Sequence, residues 1–235
     1  MQTTLDGVSC EYEIKKARNS AEVVLFLHGW GGDLNSFKGA YNAACEWGVT
    51  CVNFAFPKIV PSEWGVYEYA ACVRDFLLEN DIEKPIIVGH SFGGRIALIL
   101  AAQGIAGKIV LVDSAGLKPK FSLKKRIRIE RYHRRVKCGK SLDGFGSKDY
   151  NSIDSSMRGV FVRIVNTHLD GLLPYVKCDT LVFWGRRDRD TPMYMARRLC
   201  KGIAHSRLVV TDGGHYSYVD AHYLFLQQLK NFVLD

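Results

Sequence analysis

The stretch Val88-Gly89-His90-Ser91-Phe92-Gly93-Gly94 constrains this chain more than any other. An apolar run, Pro85-Ile86-Ile87-Val88, leads into it and reads as a buried strand. Arg95 to Ala102 leads out of it and reads as a buried helix. A Gly-x-Ser-x-Gly pentapeptide between strand and helix is a turn too tight for side chains beside the serine. Gly89 and Gly93 let the backbone pass close, and Ser91 is left at the tip in a strained conformation. The N–H groups of the helix start point at any negative charge that develops there.

The rest of the chain repeats a strand–helix rhythm. Residues 2–16 read as a hairpin turning at Asp6-Gly7. Continuous apolar runs at 23–27, 51–56, 108–113, 180–185 and 207–211 have strand length and the character of parallel strands covered on both faces. Helices are expected from near Asp33 or Asn35, over about 63–80 with Val66, Ala70, Val73 and Leu77 on one face, from a Thr191 cap with Pro192 at the first position, and over about 216–233. Strands alternating with helices imply a mostly parallel α/β sheet of about seven to eight strands with helices on both faces. The rhythm breaks over 115–177, which reads as two helices (122–137 and 156–169) around a loop at 139–151.

Three motifs in chain order carry a resemblance: His28-Gly29-Trp30-Gly31-Gly32, the Ser91 turn, and Gly213-Gly214-His215. Together they resemble the α/β-hydrolase family over nearly the whole chain. The resemblance implies an α/β-hydrolase fold with its core in 1–114 and 178–235 and a small helical cap in 115–177.

Ser91 as a nucleophile needs an imidazole to take its proton. His215 lies just past the last expected strand, at the sheet edge where ligands collect, and matches the family's catalytic histidine. His28 and His90 belong to turn motifs and read as loop buttresses; His133, His168, His205 and His222 have no motif support. Three aspartates at strand ends are candidates to orient the base: Asp188, Asp113 and Asp190. Asp188, in Gly185-Arg186-Arg187-Asp188, resembles the family's Gly-x-x-Asp motif. The order Ser91, Asp188, His215 is the hydrolase order. The backbone N–H groups of Phe92 and, by resemblance, Trp30 would hold an oxyanion, with Gly29 letting the loop approach the substrate. Dehalogenases and epoxide hydrolases of this fold use aspartate at the elbow, so serine argues against both.

Net charge is +8, yet the eleven Lys and Arg between Leu117 and Lys140, against Glu130 alone, give that segment +10. It reads either as a solvated helix face or as cations turned to the pocket, selecting an anionic substrate. Arg95, one turn past Ser91, belongs with the second reading; enzymes resembling the menaquinone-pathway synthase carry arginine at this place. Contact of the 122–137 helix with a membrane surface is left open. The run lacks interleaved aromatics, so nucleic acid is not an expected partner.

Seven cysteines without a C-x-x-C pair argue against a disulfide framework and a zinc site. No metal and no cofactor is expected. With no signal-like or membrane-length apolar segment, the expected location is cytoplasmic. The expected activity is hydrolysis of a carboxylic ester or thioester through an acyl-Ser91 intermediate. Its alternatives are a lyase or acyltransferase using the same residues on an anionic metabolite, and a ligand-binding receptor of the same fold.

Overall fold

The computed structural model describes residues 1–5, 7–18, 20–120, 123–139, 150 and 152–235. Eight strands form one sheet: β1 (Gln2–Leu5), β2 (Val8–Lys15), β3 (Val23–Leu27), β4 (Thr50–Ala55), β5 (Ile86–His90), β6 (Lys108–Val112), β7 (Asp179–Gly185) and β8 (Ser206–Thr211). Their order is β1-β2-β4-β3-β5-β6-β7-β8. β2 runs antiparallel to both its neighbours, and every pairing from β4 to β8 is parallel. The hairpin of β1 and β2 pairs Leu5 with Val8 across the expected turn, whose Asp6 lies outside the described residues.

Alternation along the apolar runs feeds two cores, as it must when both faces are covered. Leu25, Leu27, Phe54, Ile87, Leu111, Val182 and Trp184 pack on one face. They meet α2 (Val66–Glu79), α3 (Phe92–Ala102) and α6 (Tyr194–Gly202). Val24, Phe26, Val88, Val110, Val112 and Phe183 pack on the other, against α1 (Lys38–Cys45) and α8 (His222–Leu234). Each fully buried Phe or Leu contributes about 1.5–3 kcal/mol relative to exposure.

The chain reverses direction across the sheet at β3, which lies between β4 and β5. That reversal opens a crevice at the carboxyl ends of β3 and β5. The loop after β3 holds His28 to Gly32 and the turn after β5 holds Ser91, so the topology brings both motifs to one place.

Three helix boundaries depart from expectation. Residues 34–37 form turns and α1 starts only at Lys38, because the Asp33 carboxylate accepts the N–H of Asn35 within its own turn and caps no helix. α6 starts at Tyr194, not at Thr191, whose hydroxyl is used elsewhere. The last helix is broken at Ala221 (φ −123°, ψ 46°) into α7 (Ser217–Asp220) and α8.

Between β6 and β7, α4 (Leu123–Lys137) and α5 (Arg158–Asn166) are joined to short 3₁₀ turns at Ser155–Met157 and Asp170–Tyr175. Most of the expected 139–151 loop lies outside the described residues, as does Ser122 at the expected start of α4. Met157, Val160, Phe161 and Ile164 are buried, whereas Leu123, Ile127 and Val136 of α4 are exposed. α5 therefore seats on the body and α4 presents its apolar residues to solvent. Among the described residues no helix is long and apolar enough to cross a membrane.

Candidate active site

Ser91 sits between β5 and α3 with φ 48° and ψ −104°, a backbone conformation that L-residues rarely adopt. Four hydrogen bonds hold it there. Ser91 N donates to Val112 O (3.0 Å) and Gly93 N to His28 O (3.1 Å); Ser91 O accepts from Gly94 N (3.2 Å) and Ala115 N (3.0 Å). Glycine at 93 is a steric requirement, since a Cβ there would overlap Leu27 O. The same holds at 89, where a Cβ would lie 2.5 Å from Gly93 O.

His215 Nε2 lies 3.1 Å from Ser91 Oγ, and His215 Nδ1 lies 2.9 Å from Asp188 Oδ2. An ionised carboxylate can only accept, so Nδ1 carries the proton and Nε2 presents its lone pair to the serine hydroxyl. Burial opposes the charged imidazole, but the Asp188 hydrogen bond and charge, aided by Asp190 and Asp113, outweigh it, and the His215 pKa is raised. Burial likewise opposes the Asp188 carboxylate. The bonds from His215 and Thr191 prevail and hold its pKa below the usual value.

Asp188 is heavily bonded. Oδ1 accepts the N–H groups of Asp190 (2.8 Å) and Thr191 (2.9 Å), and Oδ2 accepts the Thr191 hydroxyl as well as His215. Thr191 is the residue of this site that sequence reading missed. A Thr-Pro pair signals a helix start, and nothing local tells a cap hydroxyl from one turned back to a carboxylate three residues earlier.

Of the other two candidate acids, Asp190 is exposed and Asp113 is fully buried. The Asp113 carboxylate accepts Gly185 N (2.8 Å) and Ser217 N (2.9 Å), and it is Asp188 that reaches His215 Nδ1. His28 accepts Phe56 N at Nε2 (3.0 Å) and donates from Nδ1 to Gly29 O (2.7 Å), which shapes the glycine-rich loop. His90 donates from Nε2 to His215 O (2.7 Å). Complete burial, reinforced by the nearby His215, pulls its pKa to about 3, so it is a neutral strut. His168, His205 and His222 do not line the cavity.

A cavity of about 410 Å³ opens over Ser91, and Gly29, Trp30, Phe92, Arg95 and His215 line it. The Trp30 ring stands among Tyr69, Phe92 and Phe161, with centroids 6.1, 5.3 and 5.4 Å away. Arg95 is only 6% exposed. One guanidinium nitrogen donates to Thr167 O (2.7 Å), and no carboxylate pairs with it among the described residues. Arg95 lines the same cavity as Ser91. Burial pulls its pKa down to about 10, and it stays charged at neutral pH.

Asp188, Asp190 and His215 place ligand atoms within 4.8 Å of one another, the spacing of a metal trio. Asp188 already accepts four hydrogen bonds, three from neutral N–H and O–H donors, so its lone pairs are committed.

A profile described as the alpha/beta hydrolase family matches residues 24–226, from β3 into α8. The chain belongs to the alpha/beta hydrolase family. Among relatives of this alpha/beta hydrolase is a 2-hydroxy-6-oxononadienedioate/2-hydroxy-6-oxononatrienedioate hydrolase of a Pseudomonas species. It is 23% identical over 99% of this chain and 95% of its own. Two solved structures share the fold. The enol-lactonase of Burkholderia xenovorans LB400 has a TM-score of 0.79 at 17% identity and full coverage of both chains. An esterase of Exiguobacterium antarcticum has a TM-score of 0.78 at 20% identity, covering 99% of this hydrolase and 98% of its own chain.

Proposed function

We propose that this hydrolase cleaves a carboxylic ester or thioester through an acyl-Ser91 intermediate. The observation that carries the reading is the continuous line Ser91 Oγ, His215, Asp188 beneath the cavity, with the serine on a strained turn. His215 Nε2 takes the serine proton as Oγ attacks the acyl carbon. Asp188 keeps Nδ1 protonated and stabilises the imidazolium without being protonated itself. The N–H groups of Phe92, at the first turn of α3, and Trp30 receive the oxyanion. His215 then protonates the leaving group, and a water deprotonated by His215 releases the acid. Gly29 gives the substrate close approach to the oxyanion loop, and 115–177 serves as a small cap over the cavity.

Arg95 favours a more specific second reading, in which the substrate is anionic. A buried guanidinium lining the same cavity as the serine, with no carboxylate paired to it among the described residues, suits a carboxylate. The name of the Pseudomonas relative specifies a dioate, which is in keeping with this. The same constellation would serve a lyase or acyltransferase on an anionic metabolite. Seven cysteines, none of them in a disulfide, suit a reducing, cytoplasmic setting.

The test is intact mass after a fluorophosphonate, together with turnover of neutral and carboxylate-bearing aryl esters. One adduct on the wild type and none on Ser91→Ala, with activity reduced by roughly 10⁴-fold or more, is the expected result. An adduct that persists in Ser91→Ala, or unchanged turnover, rejects the mechanism. A single slow adduct without turnover on any ester would favour a ligand-binding receptor.

A further inference from the structure

We infer that Asp113 is a positioning residue whose one buried carboxylate fixes the Asp188 loop and the His215 loop to each other. The inference rests on the Ser91–His215–Asp188 reading above.

Asp113 follows β6 directly and is completely buried. Its φ of 42° is left-handed, a strained choice for a non-glycine residue. Both carboxylate oxygens and the backbone N–H are engaged. Oδ1 accepts Gly185 N at 2.8 Å, at the end of β7 and three residues before Asp188. Oδ2 accepts Ser217 N at 2.9 Å, two residues after His215. The backbone carbonyl lies 3.0 Å from the Thr191 hydroxyl that also reaches Asp188 Oδ2, and the backbone N–H donates to Phe183 O at 3.1 Å. The residues either side of this segment hold the serine: Val112 O accepts Ser91 N, and Ala115 N donates to Ser91 O. Residues 112–115 thus touch all three carriers of the site.

A carboxylate is a costly group for this purpose. No cation pairs with it among the described residues, and its charge is held by two backbone N–H groups. Burial pushes its pKa up to about 6, against those hydrogen bonds. The titratable groups that bear on it are Asp188, from the loop after β7, and His215 and Tyr218, from the segment after β8. A carboxylate can accept on both oxygens at once and so span two loops; an amide offers one oxygen. Its charge also bears on His215, favouring the imidazolium.

The experiment is Asp113→Asn with steady-state kinetics across pH, fluorophosphonate labelling rate and thermal melting, on an ester the wild type hydrolyses. The expected result is kcat reduced at least about tenfold, KM within threefold, labelling slowed in parallel, and the acid limb of kcat/KM displaced to lower pH. The limb moves down because removing a negative charge lowers the His215 pKa. A folded Asp113→Asn that keeps kcat within threefold overturns the inference. So does a loss of kcat with an unmoved limb, which would mean ordinary structural damage. Should the variant not fold, amide NMR of the wild type decides. The Gly185 and Ser217 amide protons are expected to titrate together, with one midpoint near 6. Independent titration of the two protons, or no shared titration across the pH range in which the protein stays folded, overturns it. Ser91→Ala tells the two failures apart: wild-type turnover in that variant rejects the nucleophile itself, whatever Asp113 does.

Discussion

Thr191 and His215 meet at one oxygen of Asp188. The Thr191 hydroxyl and His215 Nδ1 stand 3.3 Å apart, and both reach Oδ2. Thr191→Val keeps the shape and removes the donor. One hydrogen bond to a charged group is worth about 1.5–3 kcal/mol, and part of that is recovered as a stronger His215–Asp188 bond. A loss of about tenfold in kcat is expected, with near-full recovery in Thr191→Ser. The freed carboxylate becomes more basic, so the His215 pKa rises and the acid limb of the rate profile moves to higher pH. A limb that stays fixed would show that the hydroxyl serves packing alone.

The wild-type pH profile follows from the imidazole. His215 must be neutral to accept a proton, and its pKa is raised above the ordinary 6.5. Half-maximal kcat/KM on the acid side is therefore expected above pH 6.5, and a midpoint below 6 would contradict the geometry. The stability linkage has the same origin. A raised histidine pKa stabilises the fold fully below the unfolded value and loses that contribution as pH rises through the folded value. The lowered pKa of Asp188 works in the opposite sense: its contribution is present above 3.8 and is lost as pH falls through its folded value.

Arg95→Met tests the anionic substrate class. The side chain keeps its apolar packing and loses the guanidinium. For an ester bearing a carboxylate, kcat/KM is expected to fall by about 10–100-fold, the worth of one charge-assisted hydrogen bond at 1.5–3 kcal/mol. For a neutral ester of the same size it should stay within about threefold. Equal losses on both esters would assign Arg95 to holding Thr167 O, with no part in recognition.

Gly185→Ala should separate the two loops by steric force. A Cβ at 185 would overlap Gly214 O and lie 2.6 Å from Gly213 O, backbone atoms with no rotamer to turn away. Overpacking of this kind costs about 1–3 kcal/mol, read as a lower Tm. Because the displaced loop carries His215, kcat should fall well below wild type even where the variant is fully folded. Normal kcat in a destabilised variant would show that the loop relaxes without moving His215.

How far the sequence discloses the molecule depends on how local each signal is. Runs such as Val23–Leu27 and Lys108–Val112 declare buried strands, because both faces are covered and no polar residue interrupts them. Ser91 and its glycines declare the turn because sterics leave no substitute. Asp113 is less legible, since its partners lie up to 104 residues away and are backbone N–H groups, which every residue possesses; Thr191 is less legible because a hydroxyl before proline reads as a helix cap whether or not it turns back to Asp188. Asp188, Asp113 and Asp190 all end strands or follow them closely; the Gly-x-x-Asp resemblance favours Asp188, and the distance to His215 agrees. α4 shows the other limit. Its spacing of Leu123, Ile127 and Val136 suggests a packed face, yet all three are exposed, because so many cations surround them that the helix gains little by burying any side.

The Ser91 turn is held by bonds to β6 and to the loop after β3, partners some 20 residues downstream and some 60 upstream. Local sequence alone would not keep a non-glycine residue at a φ of 48°. The turn therefore exists only once three strands are in register, so reactivity of this serine is a readout of folding. A chain refolding from denaturant should regain its helical signal first and acquire fluorophosphonate reactivity last, in one step with closure of the central sheet. Any partly assembled form would carry an intact serine that behaves as an ordinary alcohol.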